Sequence, residues 1–505
     1  MARVFGQTLT YGSFMKIVLV NPTYYSEISL GASYGEPLGI AYIAAAIETM
    51  SEHSVEVVDS VGLATHFDKV DRLMRIGLPE EKVVEMVLEK EPDAIGIALV
   101  GSLHSKEILQ FINNLKKVTP KTPIIVGGPH ATFEWQACME MAPIDYTVFG
   151  EGEETIVELL DAISGEKQDF SKIKGIVYRE GNTGKFIKTE RRPPVPIKKL
   201  PWPARHLFPM ENYFKNKPHH YYKRKPAASI FTSRACPFNC IFCSTTLFWE
   251  RKYRARNPID VVDEIEFLVK RYGVREIHIN DDAYLTQKKR VETICDEIIR
   301  RNLDISCQIP PGVNLSLLDE NLLRKLRDSG LYVIRPQFET GNVKTIKYIR
   351  KNINLEKGRE IISMANQLGM WTQTNIIIGF PDETKEDIET TLNYVENLGV
   401  DSVGYVLPIP FPHTDLRKDL TERKLINVDF PIAAVADSFF LKADELEKIR
   451  NKAQSRYKWV RLKQIIRPYY FMTEFFPKIN SFEKISFVAK RILAGLLAKL
   501  FKKYV

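Results

Sequence analysis

The sequence is poor in cysteine and has no long apolar runs. Six cysteines in 505 residues, three of them clustered, do not make a disulfide framework. No stretch long enough to cross a bilayer is free of charge, so no membrane-spanning helix is expected. The opening residues, MARVFGQTLTYGSFMKIVLVNP, carry no apolar core ahead of a small-residue cleavage site. No secretory signal is therefore expected, and residues 1–14 read as an extension before the first strand. No repeat and no low-complexity tract stands out, which excludes solenoids and propellers. There is no second CxxC pair and no HxxxH pair, which counts against a structural zinc site. The formal net charge is only +8, gathered at 215–226 and toward the C-terminus. No RNP-type aromatic motif accompanies it, so no nucleic-acid partner is expected.

What is present is a packed α/β chain, with 44% hydrophobic and 27% charged residues and a length that suggests about three domains. From 15 to 165, β-branched runs at 16–21, 55–59, 94–100, 123–128 and 146–150 alternate with helix-period segments such as GIAYIAAAIETM and SKEILQFINNLKKV. That alternation predicts a doubly wound, flavodoxin-like parallel sheet with its ligand at the carboxyl ends of the strands. Residues 166–225, including RRPPVPIKKLPWPARHLFP, read as a proline-rich extended linker. From 226 to 425 the alternation resumes, with strands expected at 228–234, 275–280, 305–310, 332–339, 372–380 and 402–409. Six βα units predict a partial (β/α)6 barrel with its chemistry at the strand ends. Residues 426–505 read as helical and basic, closing on an amphipathic terminal helix at 481–505.

The first strand of the second array runs into SRACPFNCIFCSTT, which places Cys236, Cys240 and Cys243 within eight positions. Iron–sulfur clusters usually take four thiolates, so three would leave one iron with an open position for a substrate or cofactor. In spacing, in the aromatic Phe242 and in strand context, this stretch resembles the radical S-adenosylmethionine (SAM) enzymes. The resemblance implies a 4Fe–4S cluster on Cys236, Cys240 and Cys243, with SAM chelating the fourth iron and reduced to methionine and a 5′-deoxyadenosyl radical. It assigns SAM contacts to Phe242, to Asp281 or Asp282 in NDDAY, to Glu339 in QFETG and to Gly379 in NIIIGFPDET. A carboxylate suits the SAM ammonium, and Gly379 would admit the adenine. Cys138, Cys295 and Cys307 fall on apolar positions and read as core.

The first array is similar to the cobalamin-binding domain that precedes many radical SAM domains. That likeness assigns cobalamin contacts to Gly101, Ser102, Gly127, Gly128, Gly150, Glu151 and Gly152. The loop after the first strand, NPTYYSEISLGASYG, contains no histidine to sit beneath cobalt. His104 and His130, in other strand-end loops, read as solvated or capping. The resemblance implies C-methylation of an unactivated carbon, with cobalt taking a methyl group from one SAM and a second SAM generating the radical. Related domain pairs carry out cyclisation or rearrangement without methyl transfer, and a cobalamin or redox sensor without turnover is the alternative of another class. The expected partners are a small hydrophobic, lipid- or tetrapyrrole-like substrate, an electron donor of flavodoxin or ferredoxin type, and a membrane surface touched through 481–505. Cytoplasmic residence, peripheral on the inner membrane face, follows as the expectation.

Overall fold

A computed structural model describes residues 14–27, 35–64, 68–70, 73–165, 169–181, 183–216, 222–426, 437–467 and a few between 472 and 489. The first thirteen residues and nearly all of the tail expected to form the terminal helix lie outside the described residues.

In the first array, five parallel strands stand in the order Ser54–Asp59, Lys16–Asn21, Ala94–Ala98, Ile124–Gly127, Tyr146–Val148. In chain order this is 2-1-3-4-5, the flavodoxin-like arrangement. Successive side chains enter opposite layers because strand side chains alternate. Val18 and Val20 pack with Ile108, Ile112 and Leu115 on one face. Ile17 and Leu19 pack with the helices Leu38–Met50 and Glu153–Ser164 on the other.

The stretch expected as linker contributes to this sheet. Ile176–Arg179 and Phe186–Lys188 form an antiparallel hairpin that pairs with Tyr146–Val148 and extends the edge. Its signal was present: two β-rich runs around Gly181 and Gly184, the latter at φ +66°. The proline-rich stretch that follows gives the segment the composition of a linker. Further on, Tyr213 of the short helix Met210–Asn216 donates to Asp59 at 2.8 Å, tying the connection back onto the first domain.

The second array is a six-stranded, all-parallel sheet whose strands follow chain order: Ala227–Ile230, Glu276–Ile279, Ser306–Gln308, Leu331–Ile334, Trp371–Ile377, Ser402–Val406. All six expected strands are present. Most end earlier than the apolar runs do, because the chain leaves the sheet to form the loops at its carboxyl end. The helices between them start and stop on local chemistry. Asn257 caps Pro258–Tyr272, which ends on Gly273 at φ +65°. Thr384 and Asp387 form a capping box on Lys385–Glu396.

A last long helix, Ala443–Ile465, closes the side of the barrel against the final strand. At its far end Arg461 and the buried Lys478 both pair with Asp401. Burial alone would raise the Asp401 carboxyl, but the two cations outweigh it and hold the group down to about 2. Among the described residues, no helix is long and apolar enough to cross a membrane.

Candidate active site between two sheets

The thiol loop is closed at its base by a two-residue antiparallel pairing of Ser233–Arg234 with Arg254–Ala255. The chain turns into it through Ala235, held at φ +74°. Cys236, Cys240 and Cys243 are all free and half-buried, and the Cys243 amide donates to the Cys240 carbonyl at 3.2 Å. Burial pushes the Cys236 thiol up to about 11, so a cationic metal centre is needed to hold it as thiolate. No three ligating side chains among the described residues converge as they would on a single ion. A cubane places each thiolate on a separate iron, and the donor set fits that group. Phe242, expected against SAM, is half-buried beside Ile241, Ile349 and Ile377, with its ring 6.2 Å from that of Phe380. It wedges the loop onto the barrel.

The structure separates the two aspartates. Asp281 is fully buried and accepts from the Thr232 amide and the Ser233 hydroxyl, both at 2.6 Å, and from the Thr232 hydroxyl. It braces the first strand from inside. Asp282 opens into the cavity between the domains, where Thr245 donates to it at a long 3.4 Å and Trp249 also bonds it. Its surface is open to the cavity, yet protein atoms packed around the carboxyl partly desolvate it and, with Asp281 behind it, push it up to about 6.

Glu339 is buried and held at φ +61°, with its carboxylate on Lys351. Lys351 also opposes the rise that burial imposes on the Cys240 thiol, so its ammonium stands close to the cluster loop. Sequence reading missed this lysine. It lies twelve positions after Glu339 in RKNIN, where no motif marks it. Gly379, at φ +97°, serves a different neighbour from the one expected on that side: a Cβ there would come within 2.8 Å of the Leu446 side chain from the last long helix.

The cavity, of about 460 Å³, is bounded by both domains. The first sheet contributes Val100, Gly127, Gly128, Gly150 and Gly152. The barrel side contributes Phe231, Ser233, Phe248, Trp249, Asn280 and Asp282. From this mouth it runs inward past Leu19 and Gly96 toward Ile43 and Ile156 of the flanking helices. Gly128 sits at φ +114°, where a Cβ would lie 2.8 Å from the Leu99 carbonyl, and a Cβ on Gly152 would meet Ile43 at 2.9 Å. The backbone wall therefore requires glycine at 128, where both the positive φ and the Leu99 carbonyl exclude a side chain, while at 152 the Ile43 side chain would have to move.

Three of the expected cobalamin contacts stand apart from the glycine wall. Gly101 and Ser102 do not line the cavity; the chain turns away one residue earlier, and Ser102 is instead 2.9 Å from His130 Nδ1. Glu151 does line it, but its carboxylate is taken by Arg234 and Arg254. Neither His130 nor His104 lines the cavity. Burial holds the His130 ring down to about 4, hence neutral, and His104 stacks on Tyr24 at 4.8 Å.

Glu151 belongs to a buried charge lattice joining the domains. Arg234, two residues before Cys236, reaches Glu151 at 3.0 Å and Glu153 at 2.5 Å. A second group links Arg205 to Glu264 at 2.7 Å and to the Ser229 carbonyl at 2.7 Å, while the Ser229 amide donates to Glu36 at 2.6 Å. Isolated buried charges would be costly, and mutual pairing is what permits them here. These partners are tens to nearly two hundred positions apart, beyond any local sequence signal.

Residues 31–160 match the B12 binding domain, and residues 230–395 match the radical SAM superfamily. The chain belongs to the cobalamin-binding radical SAM enzymes. It is thus an enzyme of the 4Fe–4S cluster, SAM and cobalamin, within a group of methyltransferases and anaerobic cyclases. An uncharacterised methyltransferase of Pyrococcus horikoshii is 28% identical over 499 residues, covering 96% of this chain and 98% of its own. The anaerobic magnesium-protoporphyrin IX monomethyl ester cyclase of Rubrivivax gelatinosus is 28% identical over 81% of this chain and 70% of its own. The fold is that of OxsB, a cobalamin-dependent SAM radical enzyme solved with aqua-cobalamin and SAM bound. It superposes with a TM-score of 0.70 at 15% identity, over 97% of this chain and 81% of OxsB.

Proposed function

We propose that this radical SAM enzyme methylates an unactivated carbon of a hydrophobic, lipid- or tetrapyrrole-like substrate. The observation that supports this reading best is that one cavity is walled by the glycine strand ends of the first sheet and by the Asp282 strand end of the barrel. A group held on the first wall and a group held on the second face the same substrate. When bound, the cluster with SAM supplies a hydrogen-abstracting radical, and cobalamin supplies a transferable methyl group.

Cys236, Cys240 and Cys243 would hold three irons. Asp282 carries the negative charge that suits the SAM ammonium, and Lys351, set against Glu339, is matched in charge to its carboxylate. Gly127, Gly128, Gly150 and Gly152 would let a broad planar ring lie against backbone. The inward slot past Leu19 and Gly96 offers an apolar sleeve for an appended base. No imidazole lines the cavity among the described residues, so these walls offer none to cobalt. Phe231, Phe248 and Trp249 exclude water from the side where a carbon radical would form, and they favour an apolar substrate. A low-potential donor of flavodoxin or ferredoxin type would reduce the cluster. Cytoplasmic residence, with residues 481–505 resting on a membrane surface, completes the reading.

Cyclisation without methyl transfer is the second reading, supported by the likeness to the protoporphyrin ester cyclase. Anaerobic turnover of the reconstituted protein with SAM, reductant and cobalamin, in the presence of lipid and tetrapyrrole extracts, separates the two. Methyl transfer requires 5′-deoxyadenosine and S-adenosylhomocysteine together, with a product heavier by one methylene. Deoxyadenosine without S-adenosylhomocysteine would move the reading to cyclisation or rearrangement.

A further inference from the structure

Among the described residues, the last long helix carries a face that packs against no other element. Ala443–Ile465 buries Leu446, Ala453, Tyr457 and Arg461 against the barrel. On the opposite side, Trp459, Leu462 and Ile466 are 66%, 49% and 69% exposed. Their spacing of three and four residues puts them on one stripe. Lys452, Lys463 and Arg467 lie exposed along one edge of that stripe, and Lys458 along the other. No ion pair ties Lys452, Lys463 or Arg467 to a carboxylate among the described residues. From 448 onward the sequence contains fifteen Lys or Arg and only two acids, Glu474 and Glu483.

A solvated helix face normally mixes charge of both signs and keeps large apolar groups singly dispersed. An apolar stripe with a tryptophan, bordered by cations that outnumber the Glu389 and Glu396 paired with Arg456 beside it, is instead complementary to an anionic bilayer. The indole and aliphatic groups enter the headgroup boundary there, and the cations meet lipid phosphates. We infer that the 452–467 face of this helix docks the enzyme on an anionic membrane surface. The face lies at the end of the barrel remote from the cavity: Tyr457 donates to the Val400 carbonyl and Arg461 pairs with Asp401, both just ahead of the last strand. Docking there leaves the cavity mouth open. The inference concerns a different surface from residues 481–505 and does not depend on which carbon is methylated.

The test is flotation of the full chain with vesicles of phosphatidylcholine, with and without phosphatidylglycerol, at low and high salt. The wild-type chain floats with the anionic vesicles and is released by salt, because surface charge attraction is screened. Trp459→Ser combined with Leu462→Ser and Ile466→Ser lowers that binding about a hundredfold. Lys452→Glu with Lys463→Glu lowers it about fivefold per charge. Both variants keep wild-type deoxyadenosine formation, since none of these residues touches the cavity. Binding unchanged in the triple variant but lost in a tail variant, Leu496→Glu with Leu500→Glu, would overturn the proposal and place the contact in the tail. Failure of the wild-type chain to bind anionic vesicles would also overturn it. So would a wild-type dimer that the triple variant splits, since a second copy would then cover the stripe.

Discussion

The two βα arrays present their strand ends to the same cavity in opposite ways. The first offers almost bare backbone: Gly127, Gly128, Gly150 and Gly152, where an added Cβ would strike neighbouring chain or side chain at the tightest positions. The second offers side chains, with Ser233, Trp249 and Asp282 on the cavity wall and the three thiols and the Glu339–Lys351 pair on neighbouring strand-end loops outside that lining. One wall suits a ligand held by shape and the other a ligand held by charge and coordination. Between them, Arg234 links the thiol loop to Glu151 and Glu153 of the glycine wall, so neither wall is free to shift without the other.

The sharpest break in this comparison is Cys240→Ser. Deoxyadenosine formation should be abolished while cobalamin stoichiometry in the reconstituted protein stays at the wild-type level. Loss of both would mean that the walls do not bind independently. Next in size is Arg234→Met, which leaves Glu153 buried without its main cation. Burial would raise Glu153, and Arg234 is the first group that holds it below the usual carboxylate range. A cost of about 3–5 kcal/mol is expected, measured by chemical unfolding of the metal-free chain.

The aspartates test the charged wall. Asp282→Asn should weaken SAM binding about ten- to a hundredfold with unfolding unchanged. Asp281→Asn should cost about 1–3 kcal/mol of stability, because Thr232 and Ser233 lose their acceptor. With Asp282 pushed up to about 6 by burial and then by Asp281, its charge is present above that value. SAM affinity should therefore fall as pH drops through about 6 and stay flat above it, as titration calorimetry would show. Equal effects of the two aspartates on SAM would undo the assignment of separate roles.

The smallest effects test the bare wall. Gly128→Ala must adopt φ +114° against the Leu99 carbonyl, at about 1–3 kcal/mol, and should lower cobalamin retention. Gly101→Ala, at φ −105° with its Cβ 3.7 Å from His104, should leave retention unchanged. Similar losses from both would place Gly101 back in the site.

The thiol loop was legible because a metal centre needs particular atoms at a particular spacing, and Cys236, Cys240 and Cys243 lie within one turn of chain. Both arrays were legible because strands buried on two faces must be apolar throughout, and helices between them must be amphipathic. The parallel sheets and the six barrel strands follow from that alternation, while the strand order 2-1-3-4-5 is set by the pairing itself. The hairpin at 176–188 was readable in principle, since its turn glycines and β-branched runs are local, but the neighbouring prolines masked it.

What local sequence cannot carry is which way a side chain faces and what meets it from afar. Asp281 and Asp282 are adjacent and chemically identical, yet the turn that follows the strand Glu276–Ile279 sends one into the core and the other into the cavity. Gly101 and Gly128 both end strands, and only the path of the chain after each decides which lines the wall. Glu151 lines the cavity, and its carboxylate is met by Arg234 and Arg254 from the other domain. Gly379 is met by Leu446 from the last helix, a neighbour that no local motif announces. The sequence by its own pattern determined the layers, the cluster and the chemistry that a three-thiolate site demands. Tertiary structure alone decided which carboxylate faces the cavity, which glycines form its wall and how the two walls are tied, because long-range packing and charge pairing set those contacts.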